Sequence, residues 1–244
     1  MMRRRFFVEK FEGQRAELRG EAAEHLGRVL RAEPGQLYEL SDGEQVWLGR
    51  VETNSRGNKN GAAIEFALIE QIPASESALR IKLLLSIVKF DRMEWCLEKA
   101  TELGVAEIVP LAAARSERAL ILAAAKRASR WQKILTESAQ QSRRLWPPVL
   151  REIAKTEDAF AEADASVKII LSERTDAKAL REILLGVSTN EVCLAIGPEG
   201  GWTEQEFVAA KSEFREASLG REILRTETAV ISSLAILHYA LEKP

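Results

Sequence analysis

Val192-Cys193-Leu194-Ala195-Ile196-Gly197-Pro198-Glu199-Gly200-Gly201-Trp202-Thr203 passes from a core strand into a glycine-rich turn and ends on a residue suited to cap a helix, with Glu206 at the reciprocal capping-box position. Further on, Leu219-Gly220-Arg221-Glu222-Ile223-Leu224-Arg225-Thr226-Glu227-Thr228-Ala229 occupies a second hand-over from strand to helix. Such hand-overs are where an α/β protein builds its ligand site. Two of them, from neighbouring strands, can close around one cofactor.

Working outward, the stretch from residue 80 alternates strands and helices. Ile81–Val88 reads as a buried strand. The next helix opens at Asp91, with Glu94 three residues on as a capping box. Its apolar stripe is Met93, Leu97, Ala100 and Leu103, and Gly104 ends it. Glu107–Leu111 is a strand, and Arg118–Gln141 is a long helix stopped before Pro147-Pro148. Val167–Leu171 and Val192–Ile196 are core strands, Glu216–Leu219 is the last strand, and Thr228–Leu241 is the last helix. At least five strands interleaved with helices imply a mostly parallel sheet covered on both faces, an α/β domain over residues 73–244.

Residues 1–72 read differently. Gln36–Leu40 and Gln45–Gly49 flank an Asp42-Gly43 turn as a hairpin, Asn54–Gly61 is a polar loop, and Ala63–Ile69 is another strand. A short helix over Glu21–Leu30 carries His25 and Arg28. Several short strands in so few residues suggest a small β-barrel, with Pro73–Ser77 as a linker.

Composition bounds the function. The 244 residues carry a net charge of −2, so a nucleic-acid partner must be held by a local patch. No apolar run is long enough to span a membrane, and the basic N-terminus lacks the apolar stretch of a signal peptide, so the chain reads as cytoplasmic. The two cysteines, Cys96 and Cys193, sit in apolar periodic segments and read as buried thiols. With His25 and His238 far apart and no zinc-type spacing, no metal is expected.

The glycine turn belongs neither to a P-loop nor to the standard dinucleotide fingerprint. It reads either as a tight turn without a ligand or as a backbone cradle. Three glycines that let backbone approach a flat ligand, a stiffening Pro198, and the polar Arg225-Thr226-Glu227-Thr228 segment between buried elements favour the cradle.

Gly197-Pro198-Glu199-Gly200-Gly201 together with Leu219–Ala229 resembles the SPOUT class of knotted methyltransferases, and most closely the RsmE type, which methylates N3 of a uridine in small-subunit (16S) ribosomal RNA. The resemblance covers nearly the whole chain. It includes Lys89–Trp95, Lys99–Val105, Arg115-Ser116, Arg130-Trp131, Glu137–Arg143 and, toward the N-terminus, His25–Arg31. Ser138 and Glu222 depart from the family's pattern. The resemblance implies a SPOUT-type knotted parallel sheet with an N-terminal barrel of PUA or OB type that binds RNA, S-adenosylmethionine held in the knot, and a homodimer. In the last helix Val230, Leu234, Leu237 and Leu241 form a stripe that is either dimer surface or ordinary core.

On that reading the cofactor is held by Leu171, Ser172 and Glu173, by Ile196 to Gly201 (Ile196, Gly197, Pro198, Glu199, Gly200, Gly201), and by Leu219, Gly220, Ile223, Leu224, Thr226, Thr228 and Ala229. Uracil N3 is not nucleophilic until its proton leaves. Arg225 would stabilise the developing negative charge, while Glu199 or Glu227 removes the proton, orders the base, or only holds loops together. For RNA, Arg115–Arg151 carries nine Lys/Arg against two acidic residues, a net +7. Phosphate neutralisation by Arg115, Arg130, Arg143 and Arg144 is its natural use, with Gln140, Gln141, Ser142 and Trp146 available to an unpaired base. Arg3, Arg4, Arg5, His25, Arg28 and Arg31 form a second patch, and Lys89 and Arg92 sit at the sheet end expected to carry the site. The competing readings are a knotted methyltransferase acting on another base or on ribose 2′-O, and a non-catalytic RNA-binding assembly factor.

Overall fold

The computed structural model describes residues 4–58, 61–74 and 77–242. The chain divides into two compact units, one of residues 1–76 with 139–147, the other of residues 77–138 with 148–244.

The first unit is built on a six-stranded mixed sheet. Its elements are β1 (Arg5–Phe7), β2 (Phe11–Glu12), β3 (Arg15–Arg19), α1 (Gly20–Glu24), β4 (Leu37–Ser41), β5 (Val46–Asn58) and β6 (Gly61–Ile72), with strand order β1-β4-β5-β6-β3-β2. β1 runs parallel to β4 and the other pairings are antiparallel. The expected Asp42-Gly43 hairpin is present: Asp42 Oδ1 accepts from the backbone N–H groups of Glu44 and Gln45. Register shifts along β5 and β6 mark bulges, which bend and twist a long ribbon. Phe6, Leu18, Leu26, Leu40, Ile64 and Phe66 form the core of this unit.

Two local expectations change here. β5 continues through Asn54 to Asn58, where a polar loop was expected, because cross-strand pairing with β6 satisfies a backbone whose side chains are polar; Lys59 and Asn60 lie outside the described residues. The helix expected over Glu21–Leu30 is α1 followed by a π-helical turn over His25–Val29.

The second unit contains β7 (Arg80–Ser86), α2 (Phe90–Glu102), β8 (Glu107–Ala112), α3 (Arg118–Ala124), α4 (Ala128–Gln141, whose last residues group with the first unit), β9 (Val149–Leu150), β10 (Ala154–Lys155), α5 (Thr156–Ala161), β11 (Val167–Leu171), β12 (Lys178–Ala179), α6 (Leu180–Leu184), β13 (Glu191–Ile196), α7 (Glu204–Ala210), β14 (Arg215–Ser218) and α8 (Thr226–Leu241). The strands order β10-β8-β7-β13-β11-β14-β12, with β9 beside β8, and every pairing is parallel.

The central strands are apolar along nearly their whole length because both faces are covered. Leu83, Leu85, Ile169 and Leu194 join one core with residues of α2 and α8, while Leu84, Ile170, Cys193 and Ala195 join another with Phe160, Trp202 and Phe214. Adjacent residues of one strand thus feed opposite cores, as the two-residue period of a strand requires.

α2 starts one residue earlier than expected. Lys89 is its N-cap, without a side-chain capping bond, and the Asp91–Glu94 box does not form. The Glu94 carboxylate is instead engaged by Arg130 at 2.6 Å through both Nε and Nη2. The long helix over Arg118–Gln141 is interrupted by a 3₁₀ turn at Ala125–Arg127. Val230, Leu234, Leu237 and Leu241 are buried in the single chain, so that stripe is core, and α8 exposes Thr228, Ala235, Tyr239 and Ala240 instead. Both cysteines are buried free thiols, and burial pushes each thiol up to about 12. Among the described residues no helix is long and apolar enough to cross a membrane, and no group of three His, Cys, Asp or Glu residues is placed to hold a metal ion.

Candidate active site

The carboxyl ends of β11, β13 and β14 lie side by side and open into a cavity of about 350 Å³. From β13 the chain turns toward α7, whose neighbours belong to one core. From β14 it turns toward α8, which packs into the other. Connections that leave for opposite faces produce a crevice at the carboxyl edge of a parallel sheet.

The glycine loop is fixed from several sides. Gly201 N–H closes a turn on Pro198 O at 2.8 Å, with Gly201 at φ +68°, a conformation that favours glycine. Arg115 Nη1 donates to Gly200 O at 2.8 Å, and Trp202 Nε1 donates to Leu171 O at 2.9 Å, joining the loop to the end of β11. Thr226 Oγ1 donates to Gly197 O at 3.3 Å, joining it to the start of α8. A Cβ on Gly197 would stand 3.0 Å from the Trp202 ring, and one on Gly200 3.2 Å from Arg115 Cβ. Thr203 and Glu206 form the expected capping box at α7. The buried Glu206 carboxylate also accepts from Ala114 N–H (3.0 Å) and Thr156 Oγ1 (2.9 Å). Burial alone would raise its pKa; the bonds from Thr203, Ala114 and Thr156 outweigh burial and hold it below the usual value.

The second loop is more open. Ser218 Oγ donates to Gly220 O at 2.8 Å and accepts from Gly220 N–H at 3.3 Å. Arg221 to Arg225 are exposed, and Arg225 is the N-cap of α8.

Most residues expected to hold a cofactor line this one cavity: Leu171, Ser172, Glu173, Ile196, Gly197, Pro198, Glu199, Gly201, Leu219, Gly220, Ile223, Leu224, Thr226 and Ala229. Gly200 and Thr228 are exposed and stand outside its lining. Sequence reasoning missed Arg174, Trp202, Phe207 and Ser218, and it assigned Arg115 to RNA alone, although all five line the cavity. Trp202 directly follows the last loop glycine, and that adjacency was the available signal.

Of the three proposed catalytic side chains, Glu199 lines the cavity, and Arg225 and Glu227 do not. Glu199 is ion-paired with Arg92. Glu227 Oε1 is 3.9 Å from Arg92 Nε, and its Oε2 is enclosed without a hydrogen-bond partner.

The basic residues separate into engaged and exposed. Arg5 is buried, donating to Glu39 Oε2 from Nε (3.2 Å) and Nη2 (3.0 Å) and to Arg143 O at 2.6 Å, so its charge is used inside the first unit. Arg130 is bound to Glu94. Arg4, Arg28, Arg31 and Lys89 are exposed, as is Arg143, which lies 3.7 Å from Glu39; Arg144 and His25 are half-buried. Arg3 lies outside the described residues.

The fold and cleft together describe an α/β ligand-binding protein whose pocket opens at the carboxyl edge of its parallel sheet. Residues 75–238 match the family described as an RNA methyltransferase domain, and the chain belongs to that family. It is 33% identical over 225 residues to a ribosomal RNA small subunit methyltransferase E of Synechocystis sp., covering 89% of this chain and 71% of the relative. A Legionella pneumophila protein solved in complex with bound S-adenosylmethionine superposes with a TM-score of 0.87 at 32% identity, with 100% of both chains covered. A ribosomal RNA small subunit methyltransferase E from Neisseria gonorrhoeae bound to S-adenosylmethionine gives 0.85 at 32% identity, with 98% of each covered. The resemblance read from the two loops therefore holds for the chain as a whole.

Proposed function

We propose that this protein is an S-adenosylmethionine-dependent methyltransferase that modifies N3 of a specific uridine in small-subunit (16S) ribosomal RNA. The observation that carries this reading is the glycine-lined cavity at the ends of β11, β13 and β14, in a chain similar over most of its length to ribosomal RNA small subunit methyltransferases E. The cavity suits a flat, polar cofactor. Its floor at Gly197 is tight, a Cβ there standing 3.0 Å from the Trp202 ring, and its walls combine residues of both loops with Leu171 from the end of β11.

When bound, S-adenosylmethionine supplies a methyl group already activated by its sulfonium. The protein has to hold that group, orient the base and manage one proton. Backbone of residues 196–201 and 219–224 would hold the adenosine. Glu199, which lines the cavity, would accept the N3 proton, with Glu227, which shares Arg92 with it, ordering the site. Arg225, at the mouth of α8, stabilises the negative charge left on the uracil, aided by the positive end of the helix.

On this reading residues 1–72 form a barrel-like RNA-binding domain of PUA or OB type, and residues 73–244 form a knotted methyltransferase domain. Arg4, His25, Arg28, Arg31, Lys89, Arg143 and Arg144 meet RNA phosphates. The enzyme works as a cytoplasmic homodimer, for which Ala235 and Tyr239 on α8 are the available surface.

The test is methyl transfer from labelled S-adenosylmethionine to small ribosomal subunits and to naked ribosomal RNA, with the modified nucleoside identified by mass spectrometry. N3-methyluridine at a single position is expected. Another nucleoside or a 2′-O-methyl product would move the chain to a different RNA target, and absence of both transfer and cofactor binding would leave an RNA-binding assembly factor.

A further inference from the structure

Among the described residues, Arg92 is the one side chain that pairs with both carboxylates invoked above. It projects from the first turn of α2, donates to Glu199 of the glycine loop, and lies 3.9 Å from Glu227 in the first turn of α8. Three elements that meet at the site, contributed by distant parts of the chain, thus converge on one guanidinium. Its side chain is only 26% exposed, and that of Glu227 14%. Arginine suits this task because its planar fork presents donors in several directions from one rigid group.

The surroundings of Glu227 sharpen the point. Among the described residues its Oε2 is buried without a hydrogen-bond partner, an arrangement that costs stability and calls for a reason. Cys96, one turn along α2 from Arg92, is a protonated and inert neighbour: burial first, and then the Glu227 charge, push its thiol up to about 12. Arg92 is the cation the structure supplies to this carboxylate. A guanidinium already committed to two carboxylates is also poorly placed to neutralise a phosphate.

We infer that Arg92 is a positioning residue of the methyl-transfer site. It holds Glu199 at the cavity and ties it to Glu227 through one guanidinium, and does not contact the RNA backbone. This rests on the methyltransferase reading. Loss of Arg92 leaves Glu199, 46% exposed, free to swing into solvent, and leaves Glu227 without its cation. The consequence falls on the chemical step rather than on RNA capture.

The experiment compares the full-length native protein with Arg92→Gln and Arg92→Lys, using small ribosomal subunits or 16S RNA as substrate. It measures kcat, KM for RNA, the salt dependence of KM, and S-adenosylmethionine affinity by calorimetry, with thermal melts to establish folding. Arg92→Gln is expected to lower kcat about tenfold or more while KM for RNA and its salt slope stay within about twofold, and Arg92→Lys to recover part of the loss. A rise in KM with a salt slope reduced by about 0.7, the signature of one lost phosphate contact on a single strand, overturns the proposal, as does an unchanged kcat. A native protein that binds S-adenosylmethionine and methylates RNA while its Arg92 variants behave normally sinks only the Arg92 role; a native protein that transfers no methyl group overturns the underlying reading and this role with it.

Discussion

The indole of Trp202 donates from Nε1 to the carbonyl of Leu171 at 2.9 Å, and the same ring stands 3.0 Å from the position a Cβ on Gly197 would take. One side chain thus joins two strand ends and sets the floor of the cavity between them. The ring is further confined by Phe160, with centroids 5.7 Å apart. Gly197→Ala therefore meets a neighbour that must shift by a few tenths of an ångström and strain its buried hydrogen bond to Leu171. A destabilisation of about 1–3 kcal/mol is expected from the overpacking. Because the displaced atoms are cavity walls, S-adenosylmethionine affinity should fall by more than the melting temperature implies. Calorimetric binding beside a denaturant titration tests this, and unaltered affinity in a folded variant would show that the floor does not meet the ligand.

Arg115 belongs by charge to the basic segment, yet its guanidinium is spent on the Gly200 carbonyl at 2.8 Å. Arg115→Gln should weaken cofactor binding by about five- to tenfold, the loss of one charge-assisted hydrogen bond that shapes the loop. The salt dependence of RNA binding should be nearly unchanged. A fall in that slope with normal cofactor affinity would return Arg115 to the RNA surface.

The contrast between these arginines shows what one chain's sequence can and cannot disclose. The parallel sheet was readable because β7 and β13 are short apolar runs, and the α7 boundary was readable because Thr203 and Glu206 satisfy a local rule. Local rules failed where a distant partner intervened. Glu94 sits at the right spacing for a capping box, but Arg130 takes its carboxylate. β12 and β10 are two-residue strands whose existence depends on pairing with β14 and β8, so no periodicity announces them. The glycine-loop residues were found because they are contiguous. Ser218 and Arg174, which line the same cavity, were not, although each adjoins a segment that was, Leu219–Ala229 and Leu171–Glu173 respectively. Charge counting located a basic segment without separating arginines bound to glutamates from those facing solvent, a distinction that exists only after folding.

Glu206 links the glycine loop's helix to the segment after β8 and to the start of α5, accepting from Thr203, Ala114 and Thr156 while almost fully buried. A glutamine offers one acceptor and turns its amide N–H groups toward existing donors. Glu206→Gln should thus cost about 3 kcal/mol at neutral pH. Because the folded-state pKa is depressed, the carboxylate's contribution is fully present above the unfolded-state value of about 4.5 and is lost as pH falls through the lower folded value. The gap between native and variant stability should hold from pH 7 down to about 5 and narrow below about 4.5. Urea titrations across that range decide it, and a gap independent of pH would mean that Glu206 acts through shape alone.

Arg225 is the N-cap of α8, exposed, and adjacent to Thr226, whose hydroxyl is bound to the Gly197 carbonyl. Its backbone is therefore anchored to the glycine loop, whereas its side chain stands outside the cavity lining and is exposed. If it stabilises the uracil anion, its worth appears only as charge develops, so Arg225→Ala should leave S-adenosylmethionine affinity within about twofold and reduce kcat by about 10²–10³. Arg225→Lys keeps a charge but loses the fork and should recover only part of that. The alternative, a fastening role for the loop, predicts the reverse order: weaker cofactor binding, a lower melting temperature, and a kcat that returns when cofactor is saturating. Normal turnover in Arg225→Ala would remove this residue from the chemistry and leave the negative charge on the uracil to the N-terminal dipole of α8.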